Sequence, residues 1–182
     1  MGKRTPELQP DQIAFIGEQN LYFVGTAAPG TRVNLLPKGM DSLRILTPNR
    51  ILWLNLSGSG NETAAHLALD PRIRLMWCSF TARPFILRAY GTARALYHAP
   101  PDWPDLITHL PEQPGARQII EVTIDLVQSS CGYAVPFLDH REDRPVLRDW
   151  AADKDADGLR SYWSTRNRQS IDGLPTGIEA NL

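Results

Sequence analysis

The segment Ser57-Gly58-Ser59-Gly60-Asn61-Glu62-Thr63 carries the densest set of groups able to do binding chemistry. Its small residues let backbone N–H groups at a helix start approach an anion such as a phosphate, and Ser57, Ser59, Asn61 and Thr63 add side-chain donors. The same residues also read as an ordinary helix start, with Ser59 as N-cap and Glu62 three residues later completing a capping box. The two readings are compatible, because a capped helix still presents free N–H groups. The segment lacks the Gly-Lys-Ser/Thr ending of a P-loop and the glycine spacing of a dinucleotide fingerprint. Lys38, in Leu35-Leu36-Pro37-Lys38-Gly39, reads as a solvated turn lysine. Arg88 interrupts the apolar run Phe85-Ile86-Leu87. Facing inward it needs a carboxylate or phosphate partner; facing outward it needs none.

Metal and nucleophile chemistry find less support. His66, His98, His109 and His140 form no H-E-x-x-H and no zinc-type spacing with the two cysteines, so no metal site is expected. His66, just behind the glycine-rich segment, reads as structural. No serine sits in a G-x-S-x-G frame. Cys131, in Ser129-Ser130-Cys131-Gly132-Tyr133, has no basic neighbour in sequence to activate a thiolate. Cys78, in Leu75-Met76-Trp77-Cys78, reads as a small buried hydrophobe. No catalytic residue can be assigned.

The elements that must position these groups are short. A helix is expected over 10–18, then strands over 21–24, 32–36, 43–47 and 51–56, a helix over 64–69, and strands over 72–80 and 85–97, where Gly91 marks a bulge or a close backbone approach. A helix over 101–110 precedes the cleanest strand, 119–127, in which Ile120, Val122, Ile124 and Leu126 alternate with polar residues. A further helix is expected near 146–156. About seven short strands joined by tight turns favour an antiparallel meander closed into a small β-barrel, which removes exposed edges. The chain divides into a barrel unit over 1–138 and a polar extension over 139–182.

Composition narrows the partners. The 182 residues carry 19 basic against 20 acidic groups, a net charge of −1 that exerts no global pull on nucleic acid or an anionic membrane. No apolar run approaches the roughly 18 residues of a membrane span. The amino terminus has no apolar signal core, and Pro6 breaks the myristoylation pattern at Gly2. A soluble, cytoplasmic protein is expected. The tail, from Arg166-Asn167-Arg168 to Leu174-Pro175-Thr176-Gly177, mixes basic residues with Ile171 and Leu174, as a segment docked on its own barrel or across a dimer would.

At these motifs the chain resembles the pyridoxamine 5′-phosphate oxidase-like family of FMN-binding split barrels. The stretches that carry the resemblance are 33–39, 57–66 with Asp70-Pro71-Arg72-Ile73, 86–91, 131–136 and 170–175. They span most of residues 10–178. The resemblance implies a mainly β, six-stranded antiparallel split barrel with peripheral helices, forming a homodimer with FMN at the interface. By position it gives Val33, Asn34, Leu35, Leu36 and Lys38 the flavin-side strand, and Ser57, Gly58, Ser59, Gly60, Asn61, Glu62 and Thr63 the phosphate. Arg88 and Cys131-Gly132-Tyr133 join the cofactor set, while Arg166 and Arg168 offer a basic cluster for a substrate. Oxidase members carry an Arg-Lys pair where this chain has Glu62-Thr63, so a true pyridoxamine 5′-phosphate oxidase is not expected. The implied activity is oxidoreduction of a small organic molecule at flavin N5. A non-catalytic flavin carrier or sensor, and a haem-handling relative, are the alternatives, and F420 is an alternative to FMN.

Overall fold

Runs of branched and aromatic residues separated by Pro, Gly and Asn turns build a single antiparallel sheet. A computed structural model describes residues 2–182; Met1, the first residue of the expected barrel unit, lies outside them. In chain order the elements are β1 (Arg4–Thr5), α1 (Pro10–Gly17), β2 (Tyr22–Thr26), β3 (Asn34–Lys38), β4 (Leu43–Thr47) and β5 (Arg50–Leu56). They continue with α2 (Glu62–Leu67), β6 (Arg72–Cys78), β7 (Ile86–Leu96), α3 (Asp102–Leu106) and β8 (Ala116–Ser130). The chain ends with α4 (Val146–Ala152), α5 (Ala156–Arg166) and a 3₁₀ turn, Ile178–Asn181. The single helix expected near 146–156 is therefore two, separated around Asp155, whose carboxylate caps α5 by accepting the Gly158 N–H.

The strands run in the order β3-β2-β6-β7-β8-β5-β4, with β1 on β8. The edge strands β3 and β4 do not pair, so the sheet curls without closing. This is the expected split barrel with peripheral helices, although counting β1 the sheet has eight strands rather than six. Its interior holds Trp53, Trp77, Leu75, Leu87, Ile120 and Val122, all essentially inaccessible. A second small core forms outside, where Leu106 and Leu110 cover Leu52, Leu54 and Ile119.

Two irregularities in β8 decide which way its side chains face. Tyr90 pairs with Leu126 but Gly91 pairs with Ile124, leaving Asp125 as an extra residue. Beyond it the alternation flips: Val127 is buried, whereas Leu126, expected on the inner face, is exposed. A Cβ at position 91 would overlap the Thr123 carbonyl, so Gly91 is required by a close backbone approach. At the other end Asn55 pairs with Gln118 and Leu56 with Ala116, making Arg117 the second extra residue. That bulge re-aims Arg117 out of the strand pattern.

Candidate functional site

Arg117 points into the turn that follows β5. It is 2% exposed. Its guanidinium donates to Gly58 O at 3.1 Å, Gly60 O at 2.8 Å and Asn61 Oδ1 at 3.2 Å. All three acceptors are neutral, and the Nε–H is buried with no partner. Burial pushes its pKa down to about 10, which still leaves it charged at neutral pH. Beside it, Lys38 at the end of β3 places Nζ 4.8 Å from the centre of the Trp53 ring and 3.4 Å from Asn55 Oδ1. Burial, and then the neighbouring Arg117, lower the Lys38 ammonium to about 8 against the pull of Glu62. No ion pair links either cation to a carboxylate among the described residues.

Between them lies a cleft of about 270 Å³, walled by Leu36, Lys38, Trp53, Ser57, Gly58, Gly60 and Arg117 and reached by Leu147 from α4. The Trp53 indole N–H is also buried and unpartnered. One buried and one half-buried cation, neither paired with a carboxylate, give this cleft a surround suited to an anion. A larger hollow of about 570 Å³ adjoins on the far side of Lys38, under Val146, Leu147 and Trp150. A third, of about 450 Å³, runs along the outer face of the sheet past Phe23, Val33, Leu35, Arg74, Met76 and Tyr90.

The turn itself is held by the chain's own carboxyl-terminal segment. Asn61 Nδ2 donates to the carbonyls of Arg166 and Gln169. Asn167 Nδ2 donates to Gly58 O and Asn61 Oδ1, both at 2.9 Å. Trp163 donates its indole N–H to Ser57 Oγ, which in turn donates to Gly115 O.

The sequence of the chain is 34% identical to ustO of Aspergillus flavus, a pyridoxamine 5′-phosphate oxidase family protein, over 175 residues, 86% of this chain and 70% of that one. The chain belongs to the pyridoxamine 5′-phosphate oxidase family. No family model matches it. Its backbone is similar to a candidate pyridoxamine 5′-phosphate oxidase of Lactobacillus delbrueckii, with a TM-score of 0.54 at 15% identity over 68% of this chain and 94% of the other. It is also similar to HupZ of Group A Streptococcus, with a TM-score of 0.52 at 13% identity over 72% and 99%. At such identities these two likenesses speak for the fold alone.

Within this family member the sequence-derived site residues separate into groups. Leu36, Lys38, Ser57, Gly58 and Gly60 meet in the cleft, with Ser59 exposed on the same turn. Val33, Asn34 and Leu35 line the outer groove instead. Asn34 also donates to Thr63 Oγ1 and Thr26 Oγ1, and Thr26 hydrogen bonds the fully buried His66, so Asn34, Thr63 and His66 knit β2, β3 and α2 together. Arg88 stands on the strand face of Tyr90 and donates to Ser130 Oγ at 2.8 Å, with no carboxylate ion pair among the described residues. That places it, with the exposed Cys131 and Tyr133 and with Gly132 packed on Phe85, at the end of β8 opposite Arg117.

The helix start differs from its expected form. Asn61, not Ser59, is the N-cap, and α2 has only six residues, too few to make its dipole the main attraction for an anion. Glu62 Oε2 accepts the Asn61 N–H and Oε1 accepts the Ile171 N–H, so its carboxylate ties the turn to the tail. Lys38, read as a solvated turn lysine, is drawn into the cleft because Trp53 lies beneath it. Arg166 and Arg168 are both exposed, whereas Asn167 between them is 1% exposed. Arg117 and Asn167 are the residues that sequence reasoning missed. The signal for Arg117 was present, a basic residue opening the apolar run Ile119-Ile120, but its inward aim depends on the bulge.

Proposed function

We propose that the chain is a flavoprotein that binds FMN with the phosphate in the Lys38–Arg117 cleft, and that it oxidises or reduces a small organic molecule as a homodimer. The observation that carries this reading is the pair of cations in one cleft, Arg117 buried and Lys38 half-buried, charged at neutral pH and without a carboxylate. A phosphate dianion would answer the charge. The amides of Gly58, Ser59 and Gly60 make no hydrogen bond within the described residues and lie at the same turn. The positive charge missing from the family's Arg-Lys position is thus available from β3 and β8.

The flavin, when bound, supplies the electron chemistry at N5. The chain's own residues orient it. Arg117 is fixed by three carbonyl-type acceptors, so its charge is pre-set in direction without being neutralised. Lys38 rests on Trp53, and Leu36 and Leu147 line the same cleft. Support for the homodimer comes from the outer groove, where Val33 is 81% and Leu35 62% exposed, an apolar surface of the kind a second copy covers.

The test compares FMN with riboflavin, which lacks only the phosphate. Titration of apo-protein, followed through quenching of tryptophan fluorescence, should give FMN at least tenfold tighter binding, since charged hydrogen bonds are worth about 1.5–3 kcal/mol each. Equal affinities would remove the phosphate from the Lys38–Arg117 cleft. Turnover of reduced nicotinamide by the FMN-loaded protein would separate an enzyme from a carrier.

A further inference from the structure

The cleft is not completed by the barrel. Its turn is gripped by a strap from the carboxyl-terminal segment, and one side chain of that strap shares the acceptors of Arg117. Asn167 is 1% exposed and donates to the same two acceptors, Gly58 O and Asn61 Oδ1, that Arg117 uses. The strap is anchored on either side. Thr176 Oγ1 donates to Asn167 O at 2.5 Å, Glu62 accepts the Ile171 N–H, and Asp172 pairs with Arg32 at the start of the β3 segment. Farther on, Asn181 Nδ2 donates to the backbone carbonyl of Arg117 itself, at 2.7 Å. Arg117 is thus held at its guanidinium through acceptors shared with Asn167 and at its backbone by Asn181.

We propose that Asn167 is a positioning residue for the anion cleft, and that strap docking and anion binding strengthen each other. The inference rests on the cleft being an anion site, as the cofactor reading holds. With the strap released, Gly58 O and Asn61 Oδ1 lose one of their two donors, and the turn is free to move away from Arg117. An anion that fixes Arg117 and the turn therefore favours the docked strap, and by linkage the docked strap favours the anion by the same factor. The exposed Arg166 and Arg168 report on docking, because each is a tryptic site within the docked strap: Asn61 of the turn holds the carbonyls of Arg166 and Gln169, while Thr176 of the strap holds that of Arg168.

The experiment uses the full-length protein. Cleavage after Arg166 and Arg168 is followed by mass spectrometry alone, with FMN and with inorganic phosphate, while binding of each is measured separately by tryptophan quenching. Bound ligand should slow both cleavages roughly tenfold, and Asn167→Ala should weaken FMN by a similar factor. Val127→Ala, buried at the other end of β8, should lower thermal stability comparably and leave FMN affinity unchanged. FMN that binds without slowing cleavage overturns the coupling and leaves the cofactor reading intact. Phosphate that binds and protects where FMN does neither removes the cofactor and keeps the coupling. If neither binds, both fall. Should Asn167→Ala fail to fold, the wild-type cleavage rates decide alone.

Discussion

The Lys38–Arg117 cleft and the outer groove are built on opposite plans. In the cleft, the Arg117 charge sits deep and its guanidinium is held by fixed acceptors, the walls come from β3, β5, β8 and α4, and the tail of the same chain braces the turn. In the groove, Val33 and Leu35 stand exposed beside Tyr90, and Arg74 lies 5.4 Å over the Tyr90 ring with no carboxylate ion pair among the described residues. Buried polar groups must be satisfied where they lie, so the chain closes that region itself. Apolar surface can be left for another body to cover. On the proposed reading, the first region recognises a small charged group and the second serves association.

The largest effect should come from Arg117→Met, which attacks the closed region. Gly60 O would lose its donor, and Gly58 O and Asn61 Oδ1 would keep only Asn167. With one group left unsatisfied at about 1–3 kcal/mol and two charged hydrogen bonds lost, the loss should be about 3 kcal/mol in urea unfolding, together with the loss of FMN binding. A cost under about 1 kcal/mol would mean that water replaces the guanidinium and that the cleft is more open than its geometry implies.

Leu35→Asp attacks the open region. In a two-fold interface each substitution acts twice, and burying a leucine is worth about 1.5–3 kcal/mol, so dimer dissociation should strengthen at least a hundredfold. Light scattering should pass from dimer to monomer while monomer stability changes by no more than about 0.5 kcal/mol. A wild-type protein that is already monomeric with flavin bound would remove the association reading of the groove.

Lys38 gives a smaller, pH-dependent effect. Its ordinary value is 10.5 and in the folded chain it titrates near 8. The folded state therefore binds fewer protons than the unfolded one between these values, and stability rises with pH across that window. Anion affinity runs the other way, because only the protonated lysine attracts: it should fall about tenfold per unit above pH 8, until the bound form itself deprotonates. Lys38→Arg should keep binding flat through pH 9, and a wild-type profile that is equally flat would place the phosphate away from Lys38.

How much of this was legible in the sequence depends on whether a residue's direction follows from local periodicity. The antiparallel strands, the small-residue turn at 57–60 and the buried Cys78 were legible, because alternation and turn chemistry act over a few residues; the strand pattern alone favoured a closed barrel, and the open, split form followed only from the family resemblance. The aims of Leu126 and Arg117 were not, since each bulge reverses the alternation and a bulge is set by a neighbouring strand, through Gly91 in the first case. Asn167 was hidden for a related reason. Two exposed arginines flank it, and its partners lie more than 100 residues away.

The smallest expected effect is also the most discriminating between charge and clamp. Glu62→Gln keeps one acceptor of the two that now serve the Asn61 and Ile171 N–H groups, and it removes a negative charge near Lys38 and Arg117. At an effective dielectric near 20, removing that charge favours a bound phosphate by about 1 kcal/mol, and the lost hydrogen bond loosens the strap by a similar amount. Glu62 also holds the Lys38 value up, so its removal lowers the pH at which Lys38 loses its proton. Near pH 7, where Lys38 stays charged either way, FMN affinity should be level or up to about fivefold higher. Above pH 8 the order should invert, with the variant weaker because its lysine has already deprotonated. A variant that is weaker at every pH would mean that Glu62 acts on the site through the strap, and that Asn167 and Glu62 belong to one clamp.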